Sequence, residues 1–191
     1  MRRAIPMLLV ALLFGVSTVS GDLSGEATAT VLVTVNPNVT VGVIGSVVDA
    51  GTIQTGEFEA QIRFRVDANQ QQLFIQVEAT PLYKGDDPLD NTVAPIPLAI
   101  SVPVVIAPTD AAPMDGLPNA IPLSITGSGI GDFPSMMTES LRFESSQNNH
   151  FSQDVFVTVT WVQVDPEQPT GEYSGRVKLI VFLDGASVTP P

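Results

Sequence analysis

The chain of 191 residues contains no cysteine. Disulfide staples, thiol catalysis and cysteine-ligated zinc are therefore all excluded. It has a single histidine, His150, and few cations: 8 lysines and arginines against 20 aspartates and glutamates. It also lacks sustained helical periodicity, with only Ser135 to Ser140 suggesting a turn or two of helix. No apolar run beyond the N-terminus is long enough to cross a bilayer, which takes about 20 residues.

The N-terminus is basic (Arg2, Arg3), then apolar from Ala4 to Val16, then small in Ser17-Thr18-Val19-Ser20-Gly21. That order predicts a secretory signal over residues 1–21. Thr18 and Ser20 suit cleavage after Ser20, and Val19 and Gly21 would allow it one residue later. From Asp22 onward the chain loses only Arg2 and Arg3 among its charges, so the net charge moves from −12 to −14. Such a surface repels phosphate backbones and anionic lipid, so neither nucleic acid nor a membrane is an expected partner. The expected location is outside the cytoplasm: periplasm, cell surface or medium.

The remainder has a period of two. Phe58, Ala60, Ile62, Phe64 and Val66 alternate with Glu59, Gln61, Arg63 and Arg65. Alternation of this kind marks a strand with one dry and one wet face. It recurs at Leu73 to Ala79, Val155 to Val164 and Tyr173 to Leu183, and at Ala27 to Val35 near the N-terminus. Weaker candidates are Val39 to Ile44, Val47 to Ile53, Ile96 to Ile106, Ile121 to Thr126 and Leu141 to Glu144. Pro97 and Pro103 cannot donate ladder hydrogen bonds, so Ile96 to Ile106 is expected at an edge or broken. Pro108 to Pro122 reads as a long surface loop. Many short strands separated by Gly/Pro/Asn turns predict an all-β, immunoglobulin-like β-sandwich over residues 39–191, preceded by an N-terminal strand segment at 22–38.

Catalytic constellations are weak. His150 has Ser152 and Asp154 nearby, but no nucleophile-elbow motif accompanies them, and a polar loop before a strand is the expected role. Asp86, Asp87, Asp90 and Asn91 are oxygen ligands in a turn and would suit calcium only if they converged; their spacing is not that of an EF-hand loop. No pair of carboxylates is marked out for glycoside hydrolysis. Asn38-Val39-Thr40 fits a glycosylation sequon. Trp161 shares a face with three valines and is expected in the core. The Tyr173 hydroxyl is expected to tie a chain corner. No enzyme and no cofactor are expected.

Ala27 to Val35 places Ala27, Ala29, Val31, Val33 and Val35 on one face, and Asn36-Pro37 separates it from the rest of the chain. Such a strand can pair within its own domain or complete another copy's open edge by strand donation. Three stretches resemble the major subunits of alpha-type colonisation-factor fimbriae, and more loosely other chaperone–usher pilins and spore-coat-U-like proteins. They are Ala29 to Pro37; Leu73 to Pro81 with Ile96 to Val102; and Val155 to Val164 followed by Gly171-Glu-Tyr-Ser-Gly175 and Val177 to Leu183. The resemblance implies a self-polymer or related pilin subunits as partners, handled by a periplasmic chaperone and an outer-membrane usher. Ala27 to Val35 would be the donor strand. Residues 107–140 depart from that family in length and in their content of Pro, Gly and Met. The alternative is a monomeric exported binding module for a carbohydrate or protein ligand, with Ala27 to Val35 paired in its own domain. A hydrolase ranks far below both.

Overall fold

A computed structural model describes residues 35–45, 47–52 and 54–183. The protein is all-β, with no α-helix among the described residues. The strands are β1 (Val39–Ile44), β2 (Gly56–Ala68), β3 (Gln72–Ala79), β4 (Tyr83–Lys84), β5 (Val104–Pro108), β6 (Ala111–Pro113), β7 (Ala120–Ile121), β8 (Leu123–Thr126), β9 (Met136–Thr138), β10 (Leu141–Ser145), β11 (Phe151–Gln163), β12 (Tyr173–Ser174) and β13 (Val177–Leu183). A 3-10 turn, Met114–Gly116, comes after β6.

All pairings among the described strands are antiparallel. The first sheet runs β1-β2-β11-β5-β7. Its centre is the β2–β11 ladder, unbroken from Phe151 opposite Ala68 to Gln163 opposite Gly56. The second sheet is built on β3. β13 lines one side of β3 from Leu73 to Ala79, while β10 and β9 share the other, with β6 beyond β10 and β8 beyond β9. Thr138 fills the gap between β9 and β10: its hydroxyl accepts from the Val77 amide at 3.0 Å, and its carbonyl accepts from Gln76 Nε2 at 2.7 Å. The turn at residues 69–71 carries the chain from one sheet to the other.

The alternation read from the sequence is the burial pattern found. Ile62, Phe64 and Val66 on β2 and Val155, Val157, Val159 and Trp161 on β11 meet Leu73, Ile75 and Val77 on β3 in one core. Each such side chain contributes roughly 1.5–3 kcal/mol by leaving water. Trp161 is core, as expected, and its indole N–H donates to the Thr80 carbonyl at 3.0 Å. The Tyr173 hydroxyl donates to the Pro169 carbonyl at 2.8 Å and accepts from Gln168 Nε2 at 3.0 Å, tying the corner ahead of β13.

Three expectations need correction, and one is met in its broken form. Ser135 to Ser140 contains strand β9 rather than helix, because pairing with β3 and β8 gives its backbone partners that an isolated helical turn lacks. The described part of Val47 to Ile53 forms no strand. Gly45 and Gly51 adopt left-handed φ of 87° and 84°, and the Asp49 carboxylate caps the Gly51 amide at 2.8 Å. As expected from its prolines, Ile96 to Ile106 is broken: only β5 is regular, Ile96 and Leu98 make single bridges to Leu82 and Trp161, and β7 covers β5's outer side. Residues 108–122 are more than a loop, since they contribute the end of β5, all of β6 and β7, and the 3-10 turn.

Glu78 lies on the outward face of β3, yet its side chain has no exposed surface. Residues 127–135 fold over it. Its carboxylate accepts from Ser135 Oγ at 2.5 Å and the Gly129 amide at 3.0 Å, and pairs with Lys178 Nζ at 2.8 Å. Gly127 permits this closure, since a Cβ there would collide with Ser135 Oγ and fall 2.5 Å from Glu78 Oε1. Burial pushes the Glu78 carboxyl up, but the Lys178 ammonium, the Ser135 hydroxyl and the Gly129 amide together outweigh it, and the group ends below its ordinary value of 4.5. A depressed folded-state pKa gives stability that is complete above the unfolded value and is lost as pH falls through the folded one.

Two variants check these contacts. Glu78→Gln lowers Tm at pH 7, and its deficit against the parent shrinks as the pH is taken below about 4.5, measured by thermal melts across pH. Tyr173→Phe removes a hydroxyl with two partners, costing about 1 kcal/mol, or roughly 2–4 °C in Tm.

Candidate interface at two open strand edges

β1 pairs with β2 in a register that places Val39, Val41 and Val43 opposite Ala68, Val66 and Phe64. Residues directly opposite in an antiparallel pair share a face. Ala68, Val66 and Phe64 are buried, so the three valines of β1 belong to the core face. Yet Val41 is 42% exposed and Val43 56%. The register turns these side chains inward, yet about half of each stays open to solvent.

The backbone of β1 is equally open. The Asn69 amide donates to the Asn38 carbonyl at 3.2 Å, which sets the phase of the ladder. Thr40, Gly42 and Ile44 then bond to β2, and the N–H and C=O groups of Val39, Val41 and Val43 point away from it. β13 mirrors this on the second sheet. The Thr80 amide donates to the Arg176 carbonyl at 3.0 Å, so the outward backbone groups belong to Val177, Leu179, Val181 and Leu183. Among the described residues β1 pairs only with β2, and β13 only with β3.

The two edges approach within 8 Å between Cα atoms without pairing. A strand inserted between them and bonded to both would set them about 10 Å apart. The outward backbone rows of β1 and β13 thus lie near each other without pairing, with the half-exposed Val41 and Val43 on the β1 side.

Of the residues expected to bind a partner, Ala27, Ala29, Val31 and Val33 lie outside the described residues, as does the expected signal segment. Val35 is described and is 76% exposed. The segment joining it to β1 is held by Asn69. The Asn69 side chain accepts from the Asn38 amide at 2.7 Å and donates to the Asn36 carbonyl at 2.9 Å.

The other candidates disperse. His150 Nδ1 sits 2.8 Å from the Asn148 carbonyl, while the Ser152 hydroxyl donates to Asp67 and Asp154 pairs with Arg63, so no triad assembles. Asp86 pairs with Arg176 and accepts from Ser174; Asp87 caps the Leu89 amide and Asp90 the Thr92 amide. These acids shape a turn, and no group of three potential metal ligands occurs among the described residues. The Arg176 guanidinium, and then the Ser174 hydroxyl, hold the Asp86 carboxyl below its ordinary range. The Glu78 network and the Asn69 contacts were missed by the sequence reading: Glu78 looks like one more outward acid, and Asn69 like an ordinary turn residue. Comparison of the chain with protein-family models, curated proteins and solved structures finds no match.

The exposure of the β1 valines has a measurable counterpart. Val41→Lys with Val43→Lys leaves the unfolding free energy of the monomer within about 0.5 kcal/mol. Val66→Ala, one strand inward on the same face, costs about 2 kcal/mol. Denaturant melts of the two variants compare them directly.

Proposed function

We propose that this chain is an exported structural subunit of a surface polymer: an immunoglobulin-like β-sandwich whose edge is left incomplete and is filled by the N-terminal strand of another copy. The observation that carries this reading is the pairing of uncovered core-face valines with free backbone on β1 and β13. The same chain supplies a segment of matching character. Ala27 to Val35 alternates strictly, and nine extended residues reach about 30 Å, enough to run the length of either edge. Its face of Ala27, Ala29, Val31, Val33 and Val35 would lie on the exposed valines, and its backbone would complete both ladders. Affinity comes from main-chain hydrogen bonds and specificity from alternate side chains.

The chemistry of the edge also explains the partners that the sequence resemblance implies. An unpaired, apolar strand edge invites aggregation during export. A periplasmic chaperone would cap it until an outer-membrane usher exchanges the cap for a subunit. The surplus of acidic residues keeps the exported chain soluble through this interval. Nothing in the proposed role requires catalysis or a cofactor.

The test is a gel of protein sheared from producing cells, run in SDS with and without boiling. Strand-exchanged polymers unfold slowly and persist unheated. A ladder that collapses on boiling supports the reading, and a monomer band in both lanes overturns it in favour of a self-contained binding module. Val31→Asp with Val33→Asp is exported normally but abolishes the ladder, because each carboxylate would have to enter an apolar groove unpaired, at a cost of roughly several kcal/mol.

A further inference from the structure

Residues 127–135 join β8 to β9 across the outward face of β3, and their polar attachment converges on one atom. Among the described residues, every hydrogen bond from this segment to another element ends on Glu78 Oε1. The donors are Ser135 Oγ at 2.5 Å, the Gly129 amide at 3.0 Å and Ser128 Oγ at 3.4 Å. The segment's other hydrogen bonds close on itself: the Gly127 amide to the Ser135 carbonyl at 2.9 Å, and Ile130 with Phe133 at 3.0 and 3.3 Å. β9 in turn meets β3 only at Met136 and Met137. We propose that residues 127–135 are an acid-released strap, which lifts from β3 when Glu78 takes up a proton and bares the rings of Tyr83 and Phe133 while both sheets stay folded.

The surroundings of Glu78 make its charge the fastener. Its other oxygen, Oε2, pairs with Lys178 Nζ of β13 at 2.8 Å. β9 sets Met137 opposite Glu78 and adds no ionisable group. Asp132 is the strap's own ionisable residue, and it is exposed. Arg142 and Glu144 of β10 stand farther along β3, opposite Phe74 and Gln72. Tyr83, Arg176 and Asp86 lie at the Phe133 end. The carboxylate thus meets donors on every side, and a neutral carboxyl would have to place its own proton among an ammonium, an amide and two hydroxyls. Hydrogen bonds to the ionised form are also about twice as strong as neutral ones. Burial opposes the charge, but Lys178, Ser135 and Gly129 outweigh it and hold the group below its ordinary 4.5. The strap is therefore fastened above that pH and freed as the pH falls through the lower, folded-state value.

The second attachment is the ring of Phe133, which meets Tyr83 edge-on at 5.6 Å and the Arg176 guanidinium at 4.7 Å. Neither Tyr83 nor Arg176 changes charge in acid, although Asp86 steers Arg176 through their ion pair. One ring is a poor restraint on nine residues that include Gly127, Gly129 and Gly131, because glycine regains the most freedom on release. With the strap closed, Tyr83 is 8% exposed and Phe133 9%. Opening turns the two rings into an aromatic surface present only in acid.

The experiment is residue-resolved hydrogen exchange on the full chain at pH 7 and at about pH 3, for the parent, Glu78→Gln and Asp86→Asn. Glu78→Gln has the shape of the neutral acid at every pH, and Asp86→Asn frees Arg176 while leaving Glu78 intact. In the parent, acid lowers protection of the Gly129 amide at least tenfold more than that of β2 and β11. In Glu78→Gln that amide is already at least tenfold less protected than the parent's at pH 7, and acid changes it by less than twofold relative to the core strands. Asp86→Asn keeps the parent's acid response. Ser135→Ala removes one donor but leaves the ion pair, and gives a partial loss at pH 7; it decides the matter if Glu78→Gln does not fold. Loss of strap and core protection in step overturns the proposal, as does a Gly129 amide that stays protected at about pH 3 in a folded chain. So does an acid response that survives in Glu78→Gln or vanishes in Asp86→Asn, or parent-like protection in Ser135→Ala.

Discussion

The β2–β11 ladder is the constraint on which the rest of the structure depends. It sets thirteen residues of each strand in register, with Val66, Phe64 and Ile62 facing the core beside Gln153, Val155 and Val157. Every other element of the first sheet hangs from it. β1 takes its register from β2, and β5 from β11. The buried Gln153 side chain extends its reach: its oxygen accepts the Asp110 amide, and its nitrogen donates to Ser145 Oγ at 3.3 Å on β10 of the second sheet. Because the ladder dictates which side of β1 faces inward, the open edge is a direct consequence of it. A slip of one residue would turn Val41 and Val43 outward and dissolve the apolar groove.

On the second sheet the organising contact is ionic. Glu78 is a carboxylate with no exposed surface, and it joins β3 to β13 through Lys178 and to residues 127–135 through Ser135 and Gly129. A buried charge left with one partner missing is costly, so the network is kept complete or not at all. The outer ion pairs, Arg63 with Asp154 and Arg65 with Asp67, are solvent-facing and contribute much less. Arg176 does two jobs, pairing with Asp86 and stacking 4.7 Å over the ring of Phe133.

The legible part of the fold was the part with period two. β2, β3, β11 and β13 emerge from alternation, since half-buried strands write their burial into the sequence, while β10 was only a weaker candidate. Proline placed the break at Pro103. Short strands such as β6, β7 and β9 carry two or three residues each, too few for any period to register, and their existence depends on partners distant in sequence. Glu78 was illegible for a related reason: its burial is decided by a glycine-containing segment some fifty positions away. β1 was read as a strand, but its sequence cannot tell a covered valine from an uncovered one. Only the register with β2 shows that the face is meant to be inward.

The remaining edges bear on how many neighbours such a molecule can hold by strand pairing. β7 has two residues and stops at Pro122; β6 has three and ends at Pro113; β8 has four and carries a register shift after Leu123. None offers a run long enough to template an incoming strand. Among the described residues the proposed strand exchange thus has one acceptor seam, between β1 and β13. A particle with one acceptor and one donor has a valency of two. It can lengthen into an unbranched thread, but it has no third site from which a network could grow.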